Sequence, residues 1–185
     1  MPPKVKTDRD AVVAAAFEVA KRAGVAGITA KSVSAELGTS VAPIFRAFPT
    51  LEALRAAVIS HIHAFHVEYL QRYPLERSKF FSYGMAYIQF AREYPRLFDA
   101  LEESGFFTPD AVEQEVSSQL SFVEDSVVSV SNLSAEQARE LFYHIWLYTH
   151  GIACLVCKGC VALSPEEEKR LLITAFQAFS AHQNR

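Results

Sequence analysis

The sequence TAKSVSAELGTSVAPIFRAF, residues 29–48, contains two short helical patterns that meet at a single glycine. In the first pattern, Val33 and Leu37 are one helical turn apart. In the second, the apolar residues with helical spacing are Val41, Ile44, Phe45 and Phe48. Gly38 marks the turn, because glycine adopts a left-handed conformation without a Cβ clash. The stretch predicts a helix-turn-helix, a unit that places its second helix in the major groove of DNA.

The residues after the glycine favour a new helix. Thr39 or Ser40 is predicted to cap it by accepting hydrogen bonds from its first N–H groups. Pro43 is tolerated only in the first turn of a helix, which agrees with that start. A helical corner that only packs a core would show the same pattern, so the flanking sequence has to decide between the two interpretations.

The flanking sequence supports the DNA-binding interpretation. The segments TDRDAVVAAAFEVAKRAGVAGIT, AKSVSAELGTSVAPIFRAF and PTLEALRAAVI follow one another in this order. Over about the first 65 residues they resemble the N-terminal DNA-binding domain of the TetR family of bacterial transcriptional regulators. The chain departs from the family pattern at Phe45, Ala47 and Leu51, where the family usually has tyrosine, histidine and lysine.

The resemblance implies two domains. Residues 1–50 would form the DNA-binding domain, with the motif at 29–48 and an extension into a fourth helix to about residue 66. Residues 51–185 would form a ligand-binding and dimerisation domain. The candidate DNA-binding residues are Thr29, Lys31, Thr39, Ser40, Val41, Ala42, Phe45 and Arg46.

Different chemistry is expected of these candidates. Thr29 and Lys31 at a helix start would hold phosphate. Val41 and Ala42 would meet thymine methyl groups, and Arg46 a base edge. Phe45, together with Phe48, is expected mainly to hold the unit together.

The charge distribution agrees with an N-terminal domain that contacts phosphate. Residues 1–50 are called the head here, and residues 51–185 are called the body. The whole chain has a net charge of −3. Residues 1–50 contain seven Lys/Arg and four Asp/Glu, whereas the remainder contains eleven and seventeen. A basic head on an acidic body suits a protein that contacts nucleic acid with the head alone. The excess of positive charge on one head is small, so we expect two heads to bind one duplex together.

The rest of the chain is predicted to be helical, which gives an all-α fold of about nine helices. The predicted helices are 8–23, 30–37, 41–47, 51–72, 77–94, 96–103, 108–130, 134–158 and 164–182. No apolar run approaches the roughly 20 residues that span a bilayer. No secretory signal is visible at the N-terminus. We therefore expect a cytoplasmic protein without a membrane partner.

The pattern Trp146-x3-His150-Gly151 resembles one found in C-terminal domains of TetR-type regulators. In that family the last two helices pair with their copies, which implies a homodimer. Gly151 and Ala153 are small enough for close helix contact. The predicted apolar face of the last helix consists of Leu172, Ala175, Phe176 and Phe179. The alternative is that this face packs on its own chain.

The body is rich in aromatic residues, and the family resemblance implies a pocket for a small apolar effector. The pocket candidates are Phe65, Tyr69, Tyr87, Phe90, Phe122 and Trp146. No nucleophile, phosphate-loop, dinucleotide or zinc-protease motif occurs, so an enzyme is not expected and no cofactor is predicted. His61, His63 and His66 are interpreted as surface residues of the fourth helix.

Three cysteines, Cys154, Cys157 and Cys160, follow His150 with the spacing C-x2-C-x2-C. Soft metals need thiolates that converge on one point. These positions do not converge unless the helix ends near residues 158–159, and cysteines on apolar helices are usually small buried hydrophobes. The alternative function is therefore a helical redox- or metal-responsive interaction protein that uses the three thiols.

The expected function is a TetR-type regulator, most simply a repressor that a small apolar ligand releases from a palindromic operator. In this mechanism the ligand shifts the body towards a conformation in which the two heads no longer match the groove spacing.

Overall fold

The computed structural model describes residues 9–74, 78–105 and 134–183. Within these ranges the chain forms eight α-helices and no β-strand. The helices are α1 (Arg9–Ala23), α2 (Ala30–Leu37), α3 (Ala42–Ala47), α4 (Leu51–Arg72), α5 (Lys79–Glu93), α6 (Pro95–Glu103), α7 (Ala135–Cys157) and α8 (Pro165–Gln183). A turn of 3₁₀-helix, Val25–Gly27, joins α1 to α2.

The all-α prediction is confirmed. Eight of the nine predicted helices are present with ends within about two residues of the expected ones. The bounds of α2 and α4 are those predicted. The remaining predicted helix, 108–130, lies outside the described residues.

The chain separates into two compact units. The first contains the described residues up to Val67 together with Arg96–Ser104, and the second contains Glu68–Pro95 and the described residues from Gly105 onward. The boundary at Val67 falls within α4. The predicted division at residue 50 into a DNA-binding and a ligand-binding domain stays a prediction.

The first unit is built on α1, which contacts α2 and α3. Its core contains side chains from every helix of the unit. The residues with no measurable exposure include Val12, Ala16, Ala20, Ile28, Val33, Ile44, Leu54, Val58, Ile62, Leu97, Phe98 and Leu101. Burial of this apolar surface, rather than helix propensity, holds short helices such as α3 in place.

In the second unit α7 packs against α5 and α8. Gly84 allows α5 and α8 to approach closely, because a Cβ there would lie 3.2 Å from Leu172 Cδ1. Side chains cap the starts of α7 and α8: at α7, Ser134 forms a capping box with Gln137. At the start of α8 the Ser164 N–H donates to Glu167 Oε2 at 2.8 Å, and this bond lowers the pKa of the carboxyl group.

The face of α8 that was predicted to form a dimer contact lies in the core of its own chain. Leu172 and Ala175 are buried, and Phe176 and Phe179 pack against a cluster of α7 and α8 residues. Ala153 of α7 is also fully buried. The sequence shows that such a face exists but not which surface covers it.

Among the described residues, no helix combines the length and hydropathy required to cross a lipid bilayer.

Candidate nucleic-acid interface

The helix-turn-helix begins with a side-chain cap at Thr29. The Ser32 N–H donates to Thr29 Oγ1 at 3.0 Å, and the Thr29 N–H donates to Ser32 Oγ at 2.9 Å. This reciprocal pair satisfies donors that α2 leaves without an intrahelical partner. The Thr29 hydroxyl predicted to hold phosphate is therefore already engaged within the chain.

The turn at Gly38 has the predicted left-handed conformation. Gly38 has φ 63° and ψ 30°. Its N–H donates to the Ala35 carbonyl at 3.2 Å, and the Thr39 N–H donates to the Ser34 carbonyl at 3.1 Å. These two bonds form a Schellman motif, which ends α2 and redirects the chain.

The predicted cap of the next helix is wrong. Val41 occupies the N-cap position of α3 and no side chain caps it. The Thr39 hydroxyl instead donates to the Ser40 carbonyl at 3.1 Å. Pro43 lies in the first turn, as predicted, and is buried. Because the Schellman motif already uses the Thr39 backbone, the chain needs two more residues before α3 begins.

The six-residue α3 buries only one stripe of its apolar side chains. Ile44 and Phe48 are 0% and 1% exposed, whereas Val41 and Phe45 are 43% and 47% exposed. Successive residues of a helix are rotated by about 100°, so residues 41 and 45 lie only about 60° around the helix from residues 44 and 48, at the edge of the apolar face where it meets solvent. The expectation that Phe45 holds the unit together is therefore wrong, while Phe48 does so, with the Arg9 guanidinium 4.2 Å from its ring centre.

All eight predicted DNA-binding residues are exposed, and six of them lie between Gly38 and the end of α3. Lys31 and Arg46 form no ion pair within the part of the chain that the structure describes. Arg22, by contrast, is paired with Glu36 of α2. The contacts of these residues with DNA remain predictions.

Arg55 of α4, which is not among the residues predicted from the sequence, positions α2. Its Nη2 donates to the Ile28 carbonyl at 2.9 Å, and its Nη1 lies 3.6 Å from Glu52. The bond fixes the residue that precedes the Thr29 cap. Partners 27 residues apart leave no local pattern, so no signal in the sequence predicted this contact.

The pocket candidates fall into separate groups. Phe65 belongs to the first unit and contacts Phe17 edge-on at 5.2 Å. In the second unit Tyr69 contacts Phe90 at 5.4 Å. Tyr87 and Trp146 both contact His150, and Phe122 lies outside the described residues.

Tyr69 has a perturbed hydroxyl group. Its O–H donates to Glu93 Oε2 at 2.9 Å. Burial, followed by this hydrogen bond, raises the pKa of Tyr69 above its usual value. The hydroxyl therefore stays protonated throughout the physiological range and acts as a donor.

The three cysteines occupy different environments. Helix α7 ends at Cys157, and Gly159 adopts φ 66°. The helix therefore ends close to residues 158–159, as a site formed by all three thiols would require. However, the Cys157 thiol faces the Pro95 carbonyl at 3.5 Å, and Cys154 faces His150. Cys160 is exposed. Within the described ranges the three sulfur atoms do not gather around one point.

The interpretation of His66 as a surface residue is wrong. His61 is exposed, but His66 is only 3% exposed. Burial, with a smaller contribution from His63, lowers the pKa of His66 to about 3. The first unit therefore contains a neutral imidazole at physiological pH.

Comparison with known proteins supports the resemblance at the level of structure. The sequence matches no protein-family model and no curated protein. A transcriptional regulator from Rhodococcus sp. RHA1 has a TM-score of 0.66 at 15% identity, covering 96% of this chain and 98% of that chain. A TetR-family transcriptional regulator from Streptomyces coelicolor has a TM-score of 0.63 at 15% identity, covering 98% and 84%. The chain has the all-helical fold of the TetR-family transcriptional regulators.

Proposed function

We propose that the protein is a DNA-binding transcriptional regulator of the TetR type. The observation that carries this proposal is the exposed face of α3 behind the Gly38 turn. An isolated domain would gain stability by burying Val41 and Phe45, yet both remain nearly half exposed. Apolar groups on a recognition helix contact thymine methyls in the major groove. A gel-shift assay with the DNA upstream of the protein's own gene tests the proposal, which predicts a shifted palindrome.

Two positive side chains are assigned different roles at the DNA. Arg46 projects from α3 and is proposed to contact a base edge. Lys31 lies in the first turn of α2, where a helix N-terminus also attracts phosphate. The Thr29 hydroxyl caps α2, so it fixes the helix end rather than the phosphate.

Replacing Arg46 with alanine is expected to weaken operator binding by roughly 10-fold or more and to relax specificity at one base pair. Lys31→Ala should weaken binding to all sequences similarly and reduce the salt dependence by about one counterion. Fluorescence anisotropy against salt concentration measures both effects. Arg72→Ala, in the exposed last turn of α4, is the control and should leave affinity unchanged. Equal affinity of Arg46→Ala and the parent would remove Arg46 from the interface.

We further propose that the regulator is a homodimer that pairs through α7 and α8. Along α7 a stripe of exposed residues is spaced one turn apart: Tyr143, Leu147, Gly151 and Leu155. A Cβ at Gly151 would meet nothing within 4 Å. The exposed side of α8 carries Thr174, Ala178 and Ala181. An apolar stripe beside a stripe of small residues suits a second copy packing across a two-fold axis.

Leu147→Glu is expected to separate the dimer, because a two-fold axis would bring two buried carboxylates close together. Analytical ultracentrifugation should show twice the 20.6 kDa chain mass for the parent and the single-chain mass for the variant. Val67→Glu introduces the same charge at a similarly exposed apolar residue of α4, and this variant should remain dimeric. A parent that sediments as a monomer at micromolar concentration would exclude this interface.

The effector is proposed to be a small apolar molecule bound in the second unit. The support is the set of aromatic side chains there, with the protonated Tyr69 hydroxyl as a polar group among them. Because α4 continues from the first unit into the second, a ligand that favours one arrangement of its last turns would change the populations available to the first unit. This mechanism fits a repressor released by its ligand.

A further inference from the structure

A tyrosine, a histidine and a cysteine of the second unit form a row of polar contacts. The Tyr87 hydroxyl of α5 lies 2.8 Å from His150 Nδ1. On the opposite side of the imidazole, His150 Nε2 lies 3.5 Å from Cys154 Sγ. His150 and Cys154 are one turn apart on α7, so the helix itself sets their spacing.

The imidazole of His150 is held from more than one direction. The Trp146 ring stacks on it with a centroid distance of 5.2 Å and an interplanar angle of 10°. Tyr87 is only 8% exposed, so its hydroxyl is fixed by the packing of α5. The arrangement has the order found in activated nucleophiles, in which a third group orients the base that faces the thiol.

We propose that Cys154 is a reactive thiol that adds to α,β-unsaturated carbonyl compounds, with His150 as its proton acceptor and Tyr87 as the residue that positions His150. The inference depends on the geometry of the second unit alone and not on the proposed DNA-binding function. It would make covalent modification a property of this chain in addition to any reversible ligand binding.

The addition balances without a cofactor. The Cys154 proton moves to His150 Nε2, and the sulfur attacks the β-carbon to form a C–S bond. The electrons of the C=C bond move to the carbonyl oxygen, and the resulting enolate recovers the proton from Nε2. While His150 carries both protons, its Nδ1–H donates to the Tyr87 oxygen. Nothing is oxidised or reduced.

The surroundings of the thiol favour this class of electrophile. Cys154 is partly exposed, so a small molecule can reach it. The Trp146 ring and the His150 imidazole, which precede Cys154 on the same helix, form a stacked pair of flat rings. Planar conjugated carbonyl compounds stack on such rings, and a thiolate is the nucleophile they accept.

Cys160 provides an internal control in the same molecule. It is exposed beyond the end of α7, and within the described residues no histidine contacts it. Cys157 is also distinct, because its thiol faces the Pro95 carbonyl. A thiol that reacts by exposure alone would be Cys160, whereas one that reacts because of a neighbouring base would be Cys154.

The test uses the full chain and a limiting amount of N-ethylmaleimide at pH 6.5, with labelled peptides quantified by mass spectrometry over time. We expect Cys154 to be labelled about tenfold faster than Cys160, because a larger thiolate fraction outweighs its lower exposure and nucleophilicity. A second probe, 2-cyclohexenone, should show the same order. Labelling of Cys160 at an equal or greater rate would overturn the proposal.

Three variants distinguish activation of the Cys154 thiol by His150 from a purely structural role of His150. In the His150→Gln variant, the labelling rate of Cys154 should fall about tenfold. This rate should then depend on pH in the same way as the labelling rate of Cys160. Tyr87→Phe should shift the same pH profile by a smaller amount. His144→Gln, on the same helix but against Phe179, should change neither. A folded His150→Gln protein, as shown by circular dichroism, with an unchanged rate and profile would also overturn the proposal.

Discussion

Replacing Arg92 with methionine is expected to lower the free energy of unfolding by about 3 kcal/mol, the lower end of the range for breaking a buried ion pair. The partner, Glu168, is only 1% exposed, so the variant would leave a carboxylate in the protein interior without its counter-charge. The side chain of Arg92 retains 30% exposure, which places the expected loss at the lower end.

The guanidinium of Arg92 also joins three segments of the second unit. Its Nη2 donates to the Leu163 carbonyl at 3.0 Å and to Glu168, and its Nη1 donates to Gln89 at 2.9 Å. Methionine fills a similar volume but donates none of these bonds. The Leu163 carbonyl, just before α8, would therefore lose a donor at the same time.

Urea unfolding followed by circular dichroism measures this effect. Arg92→Met/Glu168→Leu should recover most of the lost stability, because apolar replacement of both partners removes the uncompensated charge. Arg72→Met is the matched control: its ion pair with Glu68 lies at the surface, where loss of a pair costs below about 1 kcal/mol. An Arg92→Met protein as stable as Arg72→Met would show that Glu168 does not depend on Arg92 for its counter-charge.

Helix ends were predictable because their signals are local. Gly38 adopts the left-handed conformation that ends α2, and Ser134 caps α7 through a residue three positions away. The bounds of α4 follow from the Pro49-Thr50 start and an uninterrupted apolar stripe. Each signal lies within one helical turn of the feature it determines, so one sequence suffices.

Contacts between distant segments were not predictable in the same way. Arg92 and Glu168 are 76 residues apart, and Tyr87 and His150 are 63 apart. The pairing of His150 with Cys154 can be inferred from helical spacing, but the tyrosine that completes the row cannot. Periodicity also cannot decide how much of an apolar face is buried, as Phe45 shows, or which surface covers such a face, as α8 shows.

The candidate DNA-binding site contains features that local sequence signals predict and others that depend on contacts between distant segments. The exposed positions of α3 follow from where Gly38 ends α2, so all of the predicted residues are accessible. The prediction assigned Phe45 to the core because both stripes of α3 are apolar. The support from Arg55 to the Ile28 carbonyl required the tertiary structure. Residues that present a surface were thus easier to predict than residues that hold it in place.

Lowering the pH from 7 to 5 is expected to destabilise the parent protein by about 2 kcal/mol more than it destabilises His66→Leu. Burial, with a smaller contribution from His63, lowers the pKa of His66 from 6.5 to about 3. Between these values the unfolded chain binds a proton at His66 that the folded chain does not bind. The free energy of unfolding therefore falls by about 1.4 kcal/mol for each pH unit below 6.5.

Chemical denaturation at pH 7, 6 and 5 measures the difference, and this window keeps carboxyl groups of ordinary pKa ionised. His61→Leu is the matched control, since His61 lies on the same helix but is exposed, and it should retain the pH dependence of the parent. If His66→Leu lost as much stability as the parent between pH 7 and 5, His66 would not be buried in the neutral form.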